Sequence, residues 1–150
     1  MEIEKEIKQT LKFQSAHHKL AVNILYTASW INQRHTQKLK KFKLTPQQFN
    51  ILRILRGQHP SPATVNLLID RMIDKSSNAS RLVDRLLEKE FVSRCMNEND
   101  KRSVNVLITQ KGLDTLKQID EETHLLEEVT ASLSKTETEE LNRLLDKLRG

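Results

Sequence analysis

The sequence predicts a mainly α-helical fold with one small β-hairpin, and three observations carry that expectation. Apolar residues recur at helical spacing over most of the 150 residues. Only three Gly and three Pro interrupt them. The period changes to strand-like in two short runs, FVSRCM at 91–96 and VNVLI at 104–108, which flank the polar loop NENDKRS.

The elements follow in chain order. Residues 3–37 read as one long helix, with Ile3, Ile7 and Leu11 in one row and Leu20, Ile24, Ala28 and Ile31 further along. Thr45-Pro46 sets an N-cap before a Pro at the first helical position and opens a helix through about residue 55. Residues 57–60 make a loop, and Ser61-Pro62 repeats the start signal for a short helix to about residue 71. From Ser76 a further helix begins, with Ala79, Leu82, Val83 and Leu86 forming its buried stripe and Asp74 or Ser76 placed to cap it. The two strands and their loop come next, and then a helix from Gln110 towards residue 132. Ser134-x-x-Glu137 is a capping box opening the last helix, whose apolar face carries Leu141, Leu144, Leu145 and Leu148.

The segment from Ser76 to Gly112 says most about function. The face opposite its buried stripe carries Ser77, Asn78, Ser80, Arg81 and Arg85, short or forked donors of the kind that reach base edges and phosphates in a major groove. Lys101 and Arg102 stand at the hairpin tip, where a protruding loop meets the negative potential of a minor groove. On a single helix such residues are ordinarily a solvated surface. A helix pair, a two-stranded wing and a following helix in this order are a rarer constellation, that of a winged helix-turn-helix reader of double-stranded DNA.

The runs DKSSNASRLVDRLLEKEFVSR and NENDKRSVNVLITQKG resemble the recognition helix, wing and following helix of the MarR family of bacterial transcription regulators, and LTPQQFNILRIL resembles the family's second helix. The most specific part is Asp100-x-Arg102, strand alternation, then Thr109-x-Lys111-Gly112. The resemblance implies that Arg102 enters the minor groove with Asp100 holding it, and that Ser76, Ser77, Asn78, Ser80 and Arg81 form the major-groove face. Lys75, Arg85 and Lys101 are the expected phosphate contacts. Two departures stand out. Glu90 occupies a position where the family commonly has Gly, at a cost of about 1 kcal/mol if the backbone there is left-handed. The turn before the recognition helix lacks the family's frequent Ala and Gly.

The expected organisation is a single domain over 1–150, with a DNA-binding region at 44–112 and dimerisation helices at 1–37 and 113–150. Those terminal helices carry more apolar surface than a small winged domain covers. Ile3, Ile7, Leu11, Leu141, Leu144, Leu145 and Leu148 are therefore the expected homodimer interface, as the resemblance also implies.

Charge agrees with this polarity. The chain carries a net +5 and a pI near 9.4, yet residues 114–150 are acidic, so the positive excess lies where DNA would be met. A single Cys excludes an intramolecular disulfide framework and suits a reducing cytoplasm. No apolar run of transmembrane length and no signal-peptide pattern occur, so no membrane partner is expected. No phosphate loop, HExxH, paired CxxC or nucleophile elbow is present, and neither an enzymatic activity nor a cofactor is expected. Cys95 reads as a small packed hydrophobe in a strand, and the first helix, where the family's redox sensors carry their Cys, has none. Asp120, His124 and Glu128 share one helix face, but without a second His they read as solvated charge, and no metal site is expected. Family members often bind small effectors between the dimer helices and the winged region, and Tyr26, Trp30, His35 and Phe49 lie on the segments that would line such a crevice. The alternatives are a helical protein-interaction module with an incidental basic surface and a metal- or thiol-sensing regulator.

Overall fold

The computed structural model describes residues 2–96, 104–124 and 127–150. Helix α1 (Ile3–Glu6), helix α2 (Ala16–Leu39) and a 3-10 turn (Lys40–Phe42) lead into α3 (Pro46–Gln58). Strand β1 (Ala63–Thr64), α4 (Val65–Arg71) and α5 (Ala79–Glu88) follow, then β2 (Val92–Met96), β3 (Val104–Ile108), α6 (Gln110–Glu122) and α7 (Lys135–Arg149). This is the mainly α fold with a wing hairpin that the sequence predicts. Among the described residues no helix is long and apolar enough to cross a membrane.

The capping signals act as read at two helices. Thr45 accepts from the Gln48 amide while the Gln48 side chain accepts from the Thr45 amide, and Ser134 and Glu137 do the same at α7. The hairpin register runs from Val92 opposite Ile108 to Met96 opposite Val104.

Several boundaries are corrected. The expected continuous helix over 3–37 breaks after Glu6. Lys8 takes a left-handed φ of 51°, and the Ser15 hydroxyl caps a new helix by accepting from the His18 amide at 3.1 Å. The row Ile3, Ile7, Leu11 therefore does not continue into α2: Ile3 is buried, Ile7 half-buried and Leu11 78% exposed. Helix α3 runs through Gly57 to Gln58, and His59, which precedes Pro60, leaves helical geometry. Ser61-Pro62 does not start α4, because Thr64 is its N-cap, accepting from the Leu67 amide at 3.2 Å. Ala63 and Thr64 pair instead with Val106 and Asn105, adding a third strand in the order β1-β3-β2. Helix α5 is capped by neither Asp74 nor Ser76 but by Asn78, whose Oδ1 accepts from the Arg81 amide at 3.1 Å. Helix α6 stops at Glu122, where Thr123 turns extended and its hydroxyl donates to the Ile119 carbonyl.

One core lies under the winged region. Leu39, Ile51, Leu52, Leu55, Leu68, Leu86 and Leu116 are almost wholly buried, each contributing about 1.5–3 kcal/mol of transfer free energy. Helix α5 packs against α3 and α4 through Ala79, Val83 and Leu86, while Leu82 is half-buried at the edge of the expected stripe. Glu90 follows α5 with φ 61°, the left-handed geometry that makes Gly common at such a position. Gly112 is required by close approach: a Cβ there would lie 2.5 Å from the Phe91 carbonyl oxygen and 2.7 Å from Ile108 Cγ1.

The terminal helices behave differently. Helix α7 buries none of its residues, and Leu141, Leu144 and Leu148 are exposed while Leu145 is half-buried.

Candidate nucleic-acid interface

The side chains at the start of α5 sort into those that face solvent and those that build the turn. Ser76, Asn78, Ser80, Arg81 and Arg85 are exposed. The guanidinium of Arg81 has no hydrogen bond or ion pair among the described residues. Arg85 is paired with Glu88 at 2.9 Å on the same helix, and such an exposed pair yields readily to a phosphate. Asn78 spends its carbonyl oxygen on the cap, which leaves its amide nitrogen as the donor.

Two residues expected on this surface are held inward. The Ser77 hydroxyl is buried. The Lys75 ammonium folds back onto the carbonyl oxygens of Ile69, at 3.3 Å, and Asp70, closing the C-terminal end of α4. The turn between α4 and α5 is fixed from three directions. Asp74 accepts from the Ser76 amide at 3.0 Å and its hydroxyl at 2.6 Å. These bonds hold its carboxyl below the usual carboxylate range, the hydroxyl contributing most. The Asn50 side chain of α3 accepts from the Ile73 amide at 3.0 Å, and Lys75 completes the set. The Asn50 and Lys75 partners could not be read from spacing, because they depend on how α3, α4 and the turn meet.

At the wing base, Thr109 donates its hydroxyl to the Glu90 carbonyl at 2.7 Å and accepts from the Gly112 amide at 3.1 Å, so Thr109-x-x-Gly112 locks α6 to the end of α5. Arg94 of β2 is ion-paired with Asp84 of α5, tying the wing to that helix. Sequence reasoning missed this pair, whose only signal is opposite charge on two elements that pack together. Asp100, Lys101 and Arg102 lie outside the described residues.

The four aromatic and imidazole residues expected to line one crevice divide between two cavities. His35 and Phe49 line one of about 440 Å³ bounded by α2, α3 and the turn before α5, with Met72, Ile73 and Asp74 in its wall. Tyr26 and Trp30 line another of about 670 Å³ between α1, α2 and the segment before α7.

Asp120, His124 and Glu128 do not converge. Asp120 binds Arg56 at 2.6 Å, His124 lies 3.8 Å from Glu127, and Glu128 pairs with Lys38. Among the described residues no group of His, Cys, Asp or Glu is arranged to hold a metal ion. Cys95 is half-buried in β2 opposite Asn105.

Comparison with known proteins agrees with this geometry. The MarR family model matches residues 44–104. The HTH-type transcriptional regulator MgrA of Staphylococcus aureus is 30% identical over 126 residues, covering 83% of this chain and 84% of that protein. The transcriptional repressor MprA of Escherichia coli is 24% identical over 151 residues, covering 95% and 86% respectively. Among solved structures, a cysteine-to-serine variant of Escherichia coli MarR complexed with operator DNA superposes with a TM-score of 0.76 at 28% identity, covering 86% of this chain and 92% of that one. A helix with an exposed polar face, a wing tied to its flank and a Gly-dependent joint to the next helix, together with these matches, mean that the chain belongs to the MarR family.

Proposed function

We propose that the chain is a cytoplasmic, homodimeric, sequence-specific DNA-binding transcription regulator that acts as a repressor on a palindromic operator. The observation that carries this reading is the surface at the start of α5, where the Arg81 guanidinium, without a partner among the described residues, stands beside exposed Ser76, Asn78 and Ser80 on a helix whose opposite face is locked in the core. Arg81 is assigned to base edges, with Ser76, Asn78 and Ser80 beside it. Arg85 and, in the wing, Lys101 are assigned to phosphates, and Arg102, steadied by Asp100, to the minor groove. Lys75 and Ser77 are assigned to building the turn rather than to contact.

Dimerisation is supported by α7. A 15-residue helix with no buried residue is marginal on its own, and a second copy would cover Leu141, Leu144 and Leu148. Ile3, buried within its own chain, serves the interface only indirectly. The two reading helices would then lie about one helical turn, roughly 34 Å, apart on the duplex. The His35–Phe49 cavity is the proposed effector site, because its wall includes the turn that aims α5. An apolar occupant there would shift Ile73 and Asp74 and release DNA.

The test is selection of bound duplexes from a random pool at near-physiological salt. The expected product is an inverted repeat with half-sites about one turn apart, bound with an affinity that falls steeply with salt. A folded, dimeric protein that enriches no repeat, with affinity insensitive to salt, would refute the reading.

A further inference from the structure

The cavity that holds Tyr26 and Trp30 is distinct from the one beside the reading helix. Its walls are α1, the α2 face that carries Tyr26 and Trp30 one turn apart, and Val129 and Leu133 of the segment before α7. Its volume of about 670 Å³ lies within the range of small-molecule sites, about 300–1,000 Å³.

Its charge runs against that of the molecule. In a chain of net charge +5, the carboxylates lining this cavity are Glu2 and Glu6. Among the described residues Glu6 has no cationic partner, and it accepts only the Tyr26 hydroxyl, at 2.9 Å. Among the described residues Glu2 has a long contact to Lys5, at 3.9 Å, and a weaker charge interaction with Lys19. Lys19, the cation among the described lining residues, is paired first with Glu4, at 2.6 Å. The Arg34 guanidinium covers one face of Trp30, 4.4 Å from the ring centroid, which leaves the rest of the indole to the cavity. Aromatic walls with carboxylates that lack a strong partner select a ligand that is apolar in body and positive in charge.

We propose that the cavity between α1, α2 and the segment before α7 binds a lipophilic organic cation, with Tyr26 and Trp30 as its aromatic walls and the Glu6 carboxylate, seconded by Glu2, as its counter-charge. The four-residue α1 forms one wall, with Ile3 buried at 5% exposure and the polar bonds of Glu4 and Glu6 holding it to α2. Entry therefore needs only local release of this arm, and the winged core stays intact.

The experiment uses the full chain and a pair of probes alike in shape and opposite in charge, tetraphenylphosphonium and tetraphenylborate. Binding is measured by equilibrium dialysis, and the emission of Trp30, the sole Trp, reports where the probe sits. On net charge alone a basic protein favours the borate, so preference for the phosphonium is diagnostic. Saturable phosphonium binding is expected, with a change in Trp30 emission and an affinity at least about ten-fold above that of the borate. Glu6→Gln, with circular dichroism confirming its fold, should weaken the phosphonium by about five-fold. Glu139→Gln on α7, outside the cavity lining, should bind within about two-fold of the parent. Preference for the borate, binding without a response from Trp30, or an unchanged Glu6→Gln would overturn the proposal. So would no binding at all, the result expected if the partner copy fills the cavity. None of these readouts involves DNA, so the outcome is independent of the regulator reading.

Discussion

Two alanine substitutions at glycines should move stability in opposite directions, and the structure sets both magnitudes. At Gly112 the added Cβ would lie 2.5 Å from the Phe91 carbonyl oxygen, against ordinary contact beginning at 3.4 Å, so one must retreat by about 0.9 Å. The oxygen is not free to do so, because it also accepts from the Thr109 amide at 3.0 Å while Thr109 is held to Glu90 and Gly112. Ile108 Cγ1, at 2.7 Å, blocks the neighbouring direction. Overpacking of this kind costs about 2–3 kcal/mol. Gly57, in the last turn of α3, meets nothing within 4 Å, and alanine there should gain about 0.5–1 kcal/mol by restricting the unfolded chain. With a urea dependence of about 2 kcal/mol per molar, Gly112→Ala should lower the unfolding midpoint by about 1–1.5 M and Gly57→Ala should raise it by about 0.3–0.5 M. The assay is equilibrium urea denaturation followed by circular dichroism at one fixed protomer concentration, since a dimer's midpoint depends on concentration. A Gly112→Ala midpoint equal to or above that of the parent would refute the close-approach argument.

Four further outcomes follow from the same geometry. Arg81→Ala should cost about 1–3 kcal/mol of DNA affinity and relax specificity at one position of each half-site. Quantitative shift assays on operator variants decide it, and equal loss on every sequence would make Arg81 a phosphate clamp. Glu90→Gly should stabilise by about 0.5–1 kcal/mol in thermal unfolding, because it removes a side chain from φ 61° at the expense of one exposed 3.4 Å contact to Lys111; a lower melting temperature would contradict this. Leu144→Glu should shift sedimentation velocity towards monomer, and a dimer unaffected by it would place the interface elsewhere. The Glu137 carboxyl is held below its ordinary range, first by the Ser134 hydroxyl and then by the Ser134 amide. Its contribution is therefore complete above the ordinary carboxylate pKa, near 4.3, and fades as pH falls through the lower folded value. The helical signal lost on acidification should be smaller in Glu137→Gln than in the parent, and identical acid titrations would rule the cap out as its source.

What was legible in the sequence was local. Thr45-Pro46 and Ser134-x-x-Glu137 announce their helices because donor and acceptor lie within four residues. The wing strands announce themselves by alternation, and Arg81 by its place opposite Ala79, Val83 and Leu86. What was hidden depends on partners distant in the chain. Asp74, Ser76 and Asn78 can all cap a helix, and in the folded turn Asn78 does so while Asp74 and Ser76 bond to each other. Lys75 and Ser77 read as surface until α4 and Asp74 are in place. The break before α2 lacks an acidic residue three positions after Ser15 to mark it. Tyr26 and Phe49, both plausible for one crevice, are separated because Tyr26 and Trp30 lie on one face of α2 while Ala28, Ile31 and His35 lie on another, the one that meets Phe49.

Strand β1 is only two residues long, yet it changes the mechanics of reading. Ala63 and Thr64 pair with the centre strand of the sheet, and Thr64 is also the residue that starts α4. With the exposed Arg94–Asp84 pair on the far side, the base of the hairpin meets the helix pair at both edges. This pairing limits how far that base can swing. If this surface reads DNA as proposed, a groove that is too wide or too narrow for the hairpin would tend to tilt α5 with it. The local width of a duplex and the order of its bases would then be sensed together, as one rigid gauge, and an operator satisfying only one of them would be rejected by both.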